Sequence, residues 1–200
     1  MAVVSIKNKL RRGNLLVGNE AYDPGSFVSI ATVTVGSGGA ANIELTSIPS
    51  TFTHLQLRCY LQADRATYGM GEFEMTVNGA GGTNYSRHGI VGYGSTNNGY
   101  WGNANAAYIY ADRGLGTNTG GTYAGLIIDI LDYKNTNKYK TIKGIQGVDF
   151  NGSVGGYTGA VNLFSGAYKS TDAITSIKFV SVYGNFTQYS QVALYGIKVA

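Results

Sequence analysis

The chain contains little charge, little proline and a single cysteine. Charged residues make up 13% of its 200 positions, and only two residues are proline. The lone Cys59 excludes an intramolecular disulfide and any zinc or iron–sulfur site built from several cysteines. Glycine, at 30 positions, is not accompanied by proline, so the composition fits neither collagen nor a disordered segment. We expect one folded domain that is stabilised by packing.

Long apolar runs and targeting segments are also missing. No window approaches the roughly 18 consecutive apolar residues that a membrane-spanning helix needs. The sequence that follows Met1 lacks the apolar core and the small-residue cleavage site of a secretory signal. We therefore expect a protein that is made in a cytoplasm and does not insert into a membrane.

The common catalytic and nucleotide-binding motifs do not occur. There is no G-x-S-x-G elbow, P-loop, dinucleotide fingerprint or H-E-x-x-H sequence. The two histidines, His54 and His88, have no partner at the spacing that a zinc site or a proton relay requires. These absences favour a protein that is not an enzyme and uses no cofactor or metal, although a missing motif does not by itself disprove catalysis.

Two pairs of carboxylates leave a glycosidase open as the enzymatic alternative, because that chemistry needs only two facing acids. Glu72 and Glu74 share one face of a predicted strand and lie about 7 Å apart by strand rise. Asp129 and Asp132 lie where a predicted strand runs into a turn, a common place for aspartate. Structural roles explain both pairs, and we assign no catalytic residue.

The positive charge of the chain is concentrated near its start. Fifteen Lys and Arg against eleven Asp and Glu give a net charge of +4. Four of these cations, Lys7, Lys9, Arg11 and Arg12, lie within six positions, and without them the two signs are equal. The sequence from residue 13 onward is therefore neutral, which argues against a nucleic-acid partner.

This cationic segment also carries aliphatic residues, among them Leu10. The mixture predicts a docking arm over residues 1–22 that attaches the protein to other proteins of an assembly. A solvated tail or a first strand is the alternative interpretation. The docking residues that we assign are Lys7, Lys9, Leu10, Arg11 and Arg12.

The rest of the chain has the periodicity of β-strands. Apolar residues alternate with polar ones over residues 55–62, which predicts a half-buried strand with Cys59 as a small buried hydrophobe. A second alternation over residues 73–77 ends at Asn78–Gly79, which suits a tight turn. Amphipathic helices longer than about three turns are absent. Further strands are predicted over residues 27–35, 42–48, 123–131, 139–145, 174–183 and 191–199.

Many short strands without crossover helices indicate an all-β fold. We predict a single antiparallel β-sandwich that resembles a jelly roll and spans residues 23–200, preceded by the short N-terminal arm. On the last predicted strand Val192 and Leu194 occupy one face, while Tyr195 and Ile197 occupy the other. Both faces of that strand are therefore expected to be covered, one by the core and the other by an oligomeric partner.

The alternating pattern loosens between Gly92 and Tyr123. Two stretches rich in Gly, Asn and Thr, residues 92–103 and 114–121, predict long loops around a short strand near residues 107–111. Tyr93, Tyr100 and Trp101 lie in the first stretch and offer rigid aromatic surface. Packing within the chain and contact between subunits are favoured for them over stacking on a sugar.

Four segments carry a family resemblance. They are SIATVTVG (29–36), SIPSTFTHLQLR (47–58), DILDYKNTNKYKT (129–141) and QYSQVALYGIKV (188–199). Together they resemble the small virion structural proteins of tailed bacteriophages, especially phages of cyanobacteria and marine bacteria, over roughly residues 27–200. The resemblance implies a virion protein described as structural or tail-fibre-like, without assigned catalytic residues, and a homo-oligomer for which a trimer is the common arrangement.

The sequence thus supports a non-enzymatic structural component of a tailed-phage virion. A tail fibre or baseplate appendage, attached through the arm, is the preferred assignment. A capsid decoration protein is the first alternative, because an arm followed by a β-sandwich suits either position. The second alternative is a carbohydrate-binding module that recognises host surface glycans through Tyr93, Tyr100 and Trp101.

Overall fold

A computed structural model describes most of the chain after its N-terminal segment. The described residues are 16–17, 20–21, 27–66, 68–119, 121–154 and 157–198. The docking arm therefore stays a prediction, because its assigned residues lie outside this part of the chain: Lys7, Lys9, Leu10, Arg11 and Arg12.

The described residues form strands and turns and contain no helix, which confirms the all-β prediction. The strands are β1 (Leu16–Val17), β2 (Glu20–Ala21), β3 (Phe27–Thr34), β4 (Asn42–Leu45), β5 (His54–Ala63), β6 (Met70–Val77), β7 (Tyr85–Tyr93), β8 (Thr96–Ala106), β9 (Ile109–Thr117), β10 (Ala124–Ile130), β11 (Lys140–Val154), β12 (Tyr157–Tyr168), β13 (Ile177–Ser181) and β14 (Gln191–Ile197). Strands β1 and β2 pair only with each other among the described residues, and the other twelve belong to one hydrogen-bonded network.

This network divides at β5 into two layers. The larger layer has the strand order β3-β14-β5-β10-β11-β12-β7-β8, and the smaller layer has the order β4-β13-β6-β9. The two layers pack face to face, because Phe73 of β6 meets Phe164 of β12 edge-on at 6.0 Å although their strands do not pair. One correction applies to the antiparallel prediction: Gln62 and Ala63 of β5 pair in parallel with β9. The jelly-roll connectivity stays a prediction.

The core forms between the two layers, and the alternation in β5 shows how. Leu55, Leu57 and Leu61 are fully buried, and Cys59 between them is buried as well. Burial raises the pKa of the Cys59 thiol far above its ordinary value, because the thiolate would lose its hydration. The prediction that Cys59 is a small buried hydrophobe is confirmed.

The turn that follows β6 has the predicted chemistry. Asn78 and Gly79 both have positive φ, at 52° and 64°, as a tight two-residue turn requires, and the Ala80 backbone N–H donates to the Val77 carbonyl to close it. The Asn78 side chain also ties this turn to the segment before β13, since its Oδ1 accepts a hydrogen bond from the Thr175 backbone N–H at 2.8 Å. The turn therefore ends β6 and fixes its neighbour in the smaller layer.

The predicted long loop over residues 92–103 is wrong, because all of these residues except Gly94 and Ser95 belong to strands. The one predicted over residues 114–121 is wrong in its first half, which belongs to β9. Strands β7 and β8 form a hairpin with Gly94 in the turn at φ 55°, and β9 extends to Thr117. The physical reason lies in β8, whose described side chains are exposed on both faces up to Ala106. A strand that buries neither face needs no alternation of polar and apolar residues, so its sequence lacks the period of two.

Candidate assembly surface

The outer face of the larger layer carries exposed aliphatic side chains. In strands β10, β11, β12 and β7, alternate residues point into the core and away from it. Those that point away include Ile127, Ile145, Leu163 and Ile90, which are 41%, 52%, 54% and 58% exposed. A single exposed aliphatic residue is ordinary, whereas a connected group of four needs a reason.

The strand register places these four residues in one line. Ile127 lies opposite Ile145, Ile145 opposite Leu163, and Leu163 opposite Ile90. We call this line the aliphatic row. At the usual strand spacing of about 4.8 Å it runs about 15 Å across the sheet. Arg58 of β5 lies directly opposite Ile127 and ends the row on that side.

A second line, two residues away along each strand, is formed mainly by small residues. Gly125 lies opposite Gly147, and Gly147 lies opposite Val161. Tyr60 and Gly92 continue the line on the two sides. We call this line the glycine row. Three of its residues line a shallow depression of about 570 Å³, together with Arg58, Ile127 and Ile145: Gly125, Gly147 and Val161.

Nothing within the described chain explains the glycine pair in this depression. Neither Gly125 nor Gly147 has a positive φ, and a Cβ added at either position would meet no atom within 4 Å. Glycine weakens a strand and is often found where a ligand or another backbone comes close. Gly144 on the inner face of β11 differs, because a Cβ there would overlap the ring of Phe164. The two outer glycines therefore have no packing reason among the described residues.

Polar residues border the aliphatic row on its other side. Asp129 lies opposite Lys143, and their Oδ2 and Nζ atoms are 3.7 Å apart. Ser165 and His88 continue this line on β12 and β7. Beyond the glycine row, Asp149 of β11 is exposed. The aliphatic row and the glycine row together form an apolar strip. This strip is bounded by charges of both signs, an arrangement typical of interface rims.

The strip is large enough to matter. Tyr60 and Val161, in the glycine row, are each more than half exposed, as are three residues of the aliphatic row. Together these side chains expose apolar surface on the order of 500 Å², a size at which patches on monomers are often functional. The outer face of β10, β11, β12 and β7 is therefore the candidate functional surface of this domain.

The predicted aromatic contact residues lie on the β7–β8 hairpin at one side of this layer. The Tyr93 ring packs edge-on against Tyr157 at 5.1 Å, and its hydroxyl accepts a hydrogen bond from Asn98 Nδ2 at 2.8 Å. Tyr93 thus has packing partners within the chain. The side chains of Tyr100 and Trp101 lie outside the described part of the structure, so their contact role stays a prediction.

Three of the four candidate carboxylates, Asp129, Glu72 and Asp132, each have a neighbouring cation or amide group. Gln56 Nε2 donates to Asp129 at 2.9 Å, and Arg65 Nη1 lies 3.0 Å from the Glu72 carboxylate. Lys138 donates to Asp132 at 2.5 Å, and this hydrogen bond holds the pKa of Asp132 below its ordinary value. A general acid needs the opposite shift, so the Asp132 geometry fits a structural role.

His54 takes part in the same turn. Its Nδ1 accepts a hydrogen bond from the Asp132 backbone N–H at 2.9 Å. The same Nδ1 lies 3.5 Å from the Asp132 carboxylate. The contact secures the turn after β10 against the start of β5.

The sequence analysis did not single out the aliphatic row. One available signal was the uninterrupted apolar run Leu126, Ile127, Ile128, because consecutive apolar residues in a strand place apolar side chains on both faces. What the run could not show is that Ile127 stands in line with Ile145 and Leu163. That alignment depends on the pairing register of strands separated along the chain.

Comparison with models of known protein families gives no match, and comparison with curated proteins gives no relative. Within the described residues, no group of three or more His, Cys, Asp or Glu side chains is arranged to hold a metal ion. The same residues include no helix of the length and apolar character that crossing a membrane requires. The functional proposal below therefore depends on the geometry of the outer face and on the sequence resemblance.

Gly144 on the inner face of β11 and Gly147 on its outer face should respond to alanine substitution with opposite changes in stability. Gly144→Ala should lower the free energy of unfolding by about 1–3 kcal/mol, because the added methyl group overlaps the Phe164 ring in a packed core. Gly147→Ala should raise it by about 0.5–1 kcal/mol, because alanine suits a strand better and the methyl group enters open space.

Urea denaturation at low protein concentration measures both values on the same domain. Each variant serves as the control for the other, since they lie three residues apart on one strand and face opposite sides. Equal destabilisation by both substitutions would contradict the assignment of Gly147 to an open outer face.

Proposed function

We propose that this chain is a non-enzymatic structural component of a tailed-phage virion, a tail fibre or baseplate appendage that attaches through residues 1–22. The sequence resemblance supports the virion, and the outer face of the larger layer supports a role in assembly. One observation carries the second part: the aliphatic row lies in register across four strands and is exposed beside a row of glycines.

The composition of this surface suits contact between proteins. Its centre, formed by the aliphatic and glycine rows of β10, β11, β12 and β7, contains no charged side chain. Charged side chains are depleted at interface centres because burying them is costly, whereas apolar groups gain free energy from burial. A catalytic site would need polar groups converging on a cleft, and this strip is open and apolar.

The start of the folded body fits attachment through an arm. Strand β3 pairs only with β14 among the described strands, so β3 lies at the edge of the larger layer, and Phe27 is its first residue. Its ring stacks on Tyr195 at 4.7 Å, and the Arg58 guanidinium lies 5.4 Å from its centroid. These contacts anchor the first residue of β3 at the edge of the layer, which is where an arm that precedes it would leave the domain.

A capsid decoration protein is the alternative, because the same edge attachment and the same outer face serve either position. Copy number separates the two. Quantitative mass spectrometry of purified source virions, referenced to the major capsid protein, should give a few copies per particle for a tail fibre or baseplate appendage. Hundreds of copies would indicate capsid decoration. Absence of the chain from virions would contradict the proposal.

The docking arm has its own test. Replacing Lys7 and Lys9 by serine should reduce incorporation into particles about threefold to tenfold, since each exposed ion pair contributes up to about 1 kcal/mol. The control replaces Lys134 and Lys178, two lysines of the body, in the same way and should incorporate normally. Circular dichroism should show both chains folded. Equal incorporation of the two variants would contradict a specific role for the arm.

A further inference from the structure

We propose that the outer face of the larger layer binds a second copy of this chain, related by a two-fold axis that crosses the strands between the aliphatic row and the glycine row. The inference rests on the proposed assembly role and names the partner of that surface. Four observations on the described residues lead to it: the shape of the two rows, the unexplained glycines, the positions of the charges and the size of the face.

The first observation is that the two rows are complementary in shape. The aliphatic row protrudes, whereas the glycine row is hollow at Gly125, Gly147 and Gly92, and the two rows lie two residues apart along the strands, about 6.6 Å. A two-fold axis parallel to the rows and midway between them places the aliphatic row of each copy over the glycine row of the other, and Leu163 then packs beside Val161 of the second copy. Ile145 then faces Gly147 of the second copy, and Ile127 faces Gly125 of the second copy. Such an isologous contact uses the same surface twice.

The second observation is the glycine pair itself. Gly125 and Gly147 are directly opposite each other, have ordinary φ values and leave open space above the sheet. Packed sheets lie about 10 Å apart, and that distance is filled by interleaved side chains. A branched side chain from one sheet fits most closely where the other sheet has none. A second copy therefore accounts for glycines that weaken the strands of an isolated chain.

The third observation is the distribution of charge along β11. The axis crosses this strand at Gln146, and Lys143 and Asp149 lie three residues away on either side. Both side chains are exposed on the outer face. The symmetry brings Lys143 of each copy opposite Asp149 of the other, so the contact contains two pairs of opposite charge. The pairing of opposite charges supports the same axis independently of the fit between the rows.

The fourth observation is the size of the face. Eight strands at about 4.8 Å, each contributing about seven residues at 3.3 Å, present roughly 900 Å². A stable interface buries about 800 Å² on each partner. A dimer of standard size therefore uses the outer face of all eight strands, with the two rows at its centre. This centre contains no cation that would favour a nucleic acid.

Sedimentation velocity of the full-length chain over micromolar to submillimolar concentrations tests the contact. The wild-type protein should form a dimer in a concentration-dependent manner. Ile145→Lys should raise the dissociation constant at least about a hundredfold, because it places a charge at the centre of the contact. The control Asn42→Lys adds the same charge to an exposed position of β4 in the smaller layer and should leave the constant unchanged.

Charge reversal tests the position of the axis. Lys143→Glu and Asp149→Lys should each weaken the dimer about tenfold, because each brings like charges together in both halves of the contact. The double variant restores opposite charges across the axis and should recover most of the wild-type affinity. Lys143→Glu also disturbs the contact with Asp129 in the same chain, and the double variant does not repair that contact. Recovery therefore reports on the contact between copies.

Several results would overturn the proposal: a monomer at every concentration, a trimer, a dimer insensitive to Ile145→Lys, or a double variant as weak as the single ones. A monomeric chain that is nevertheless present in virions would remove the two-fold contact and leave the proposed function. A dimer with the expected sensitivities that is absent from virions would support the contact and remove the virion role. A different protein found on this face in virions, with no self-association in solution, would also overturn the second copy as its occupant.

Discussion

The hydrogen bonds of Gln62 join the two layers of the domain at the point where the sheet divides. Gln62 is the first residue of β5 that pairs with β9 of the smaller layer. Its Nε2 donates to the backbone carbonyls of Thr117, at the end of β9, and of Thr122. Its Oε1 accepts from Thr187, and its backbone N–H donates to the Ser190 hydroxyl. Because the residue is buried, these hydrogen bonds replace water, and losing them would leave polar groups unsatisfied. This junction keeps the smaller layer on one face of the larger layer and leaves the other face uncovered by the described residues.

The consequence is a sheet with two different faces. Alternation in β10, β11 and β12 sends every second side chain into the core, and the remaining side chains face outward by geometry alone. Geometry does not require those outward residues to be aliphatic or glycine. On β11 the difference is direct: Gly144 leaves room for Phe164 inside the domain, whereas Gly147 leaves room that no described residue fills. In the dimer that we propose, a second copy fills this room and matches the outer face in shape, charge and area.

Much of the fold could be predicted from the sequence, whereas the aliphatic row on the outer face could not. Strand β5 was predictable because a half-buried strand has a period of two, and the turn at Asn78 because positive φ favours Asn and Gly. Strand β8 was missed because it buries neither face and so has no period. Ile145 looks like a core residue when read alone. Only its pairing with Ile127 and Leu163 shows an exposed row, and pairing between distant strands is not contained in any local pattern.

The most direct measurement is chemical cross-linking of the double variant K143C/D149C. Within one chain these positions are six residues apart on a strand, about 20 Å, whereas a short bismaleimide reaches about 10 Å, the spacing of packed sheets. The native Cys59 does not compete, because its thiol is buried and its pKa is raised. The account predicts a covalent dimer from the double variant and little from either single variant. A double variant that stays monomeric after treatment, or single variants that cross-link equally well, would contradict the two-fold contact.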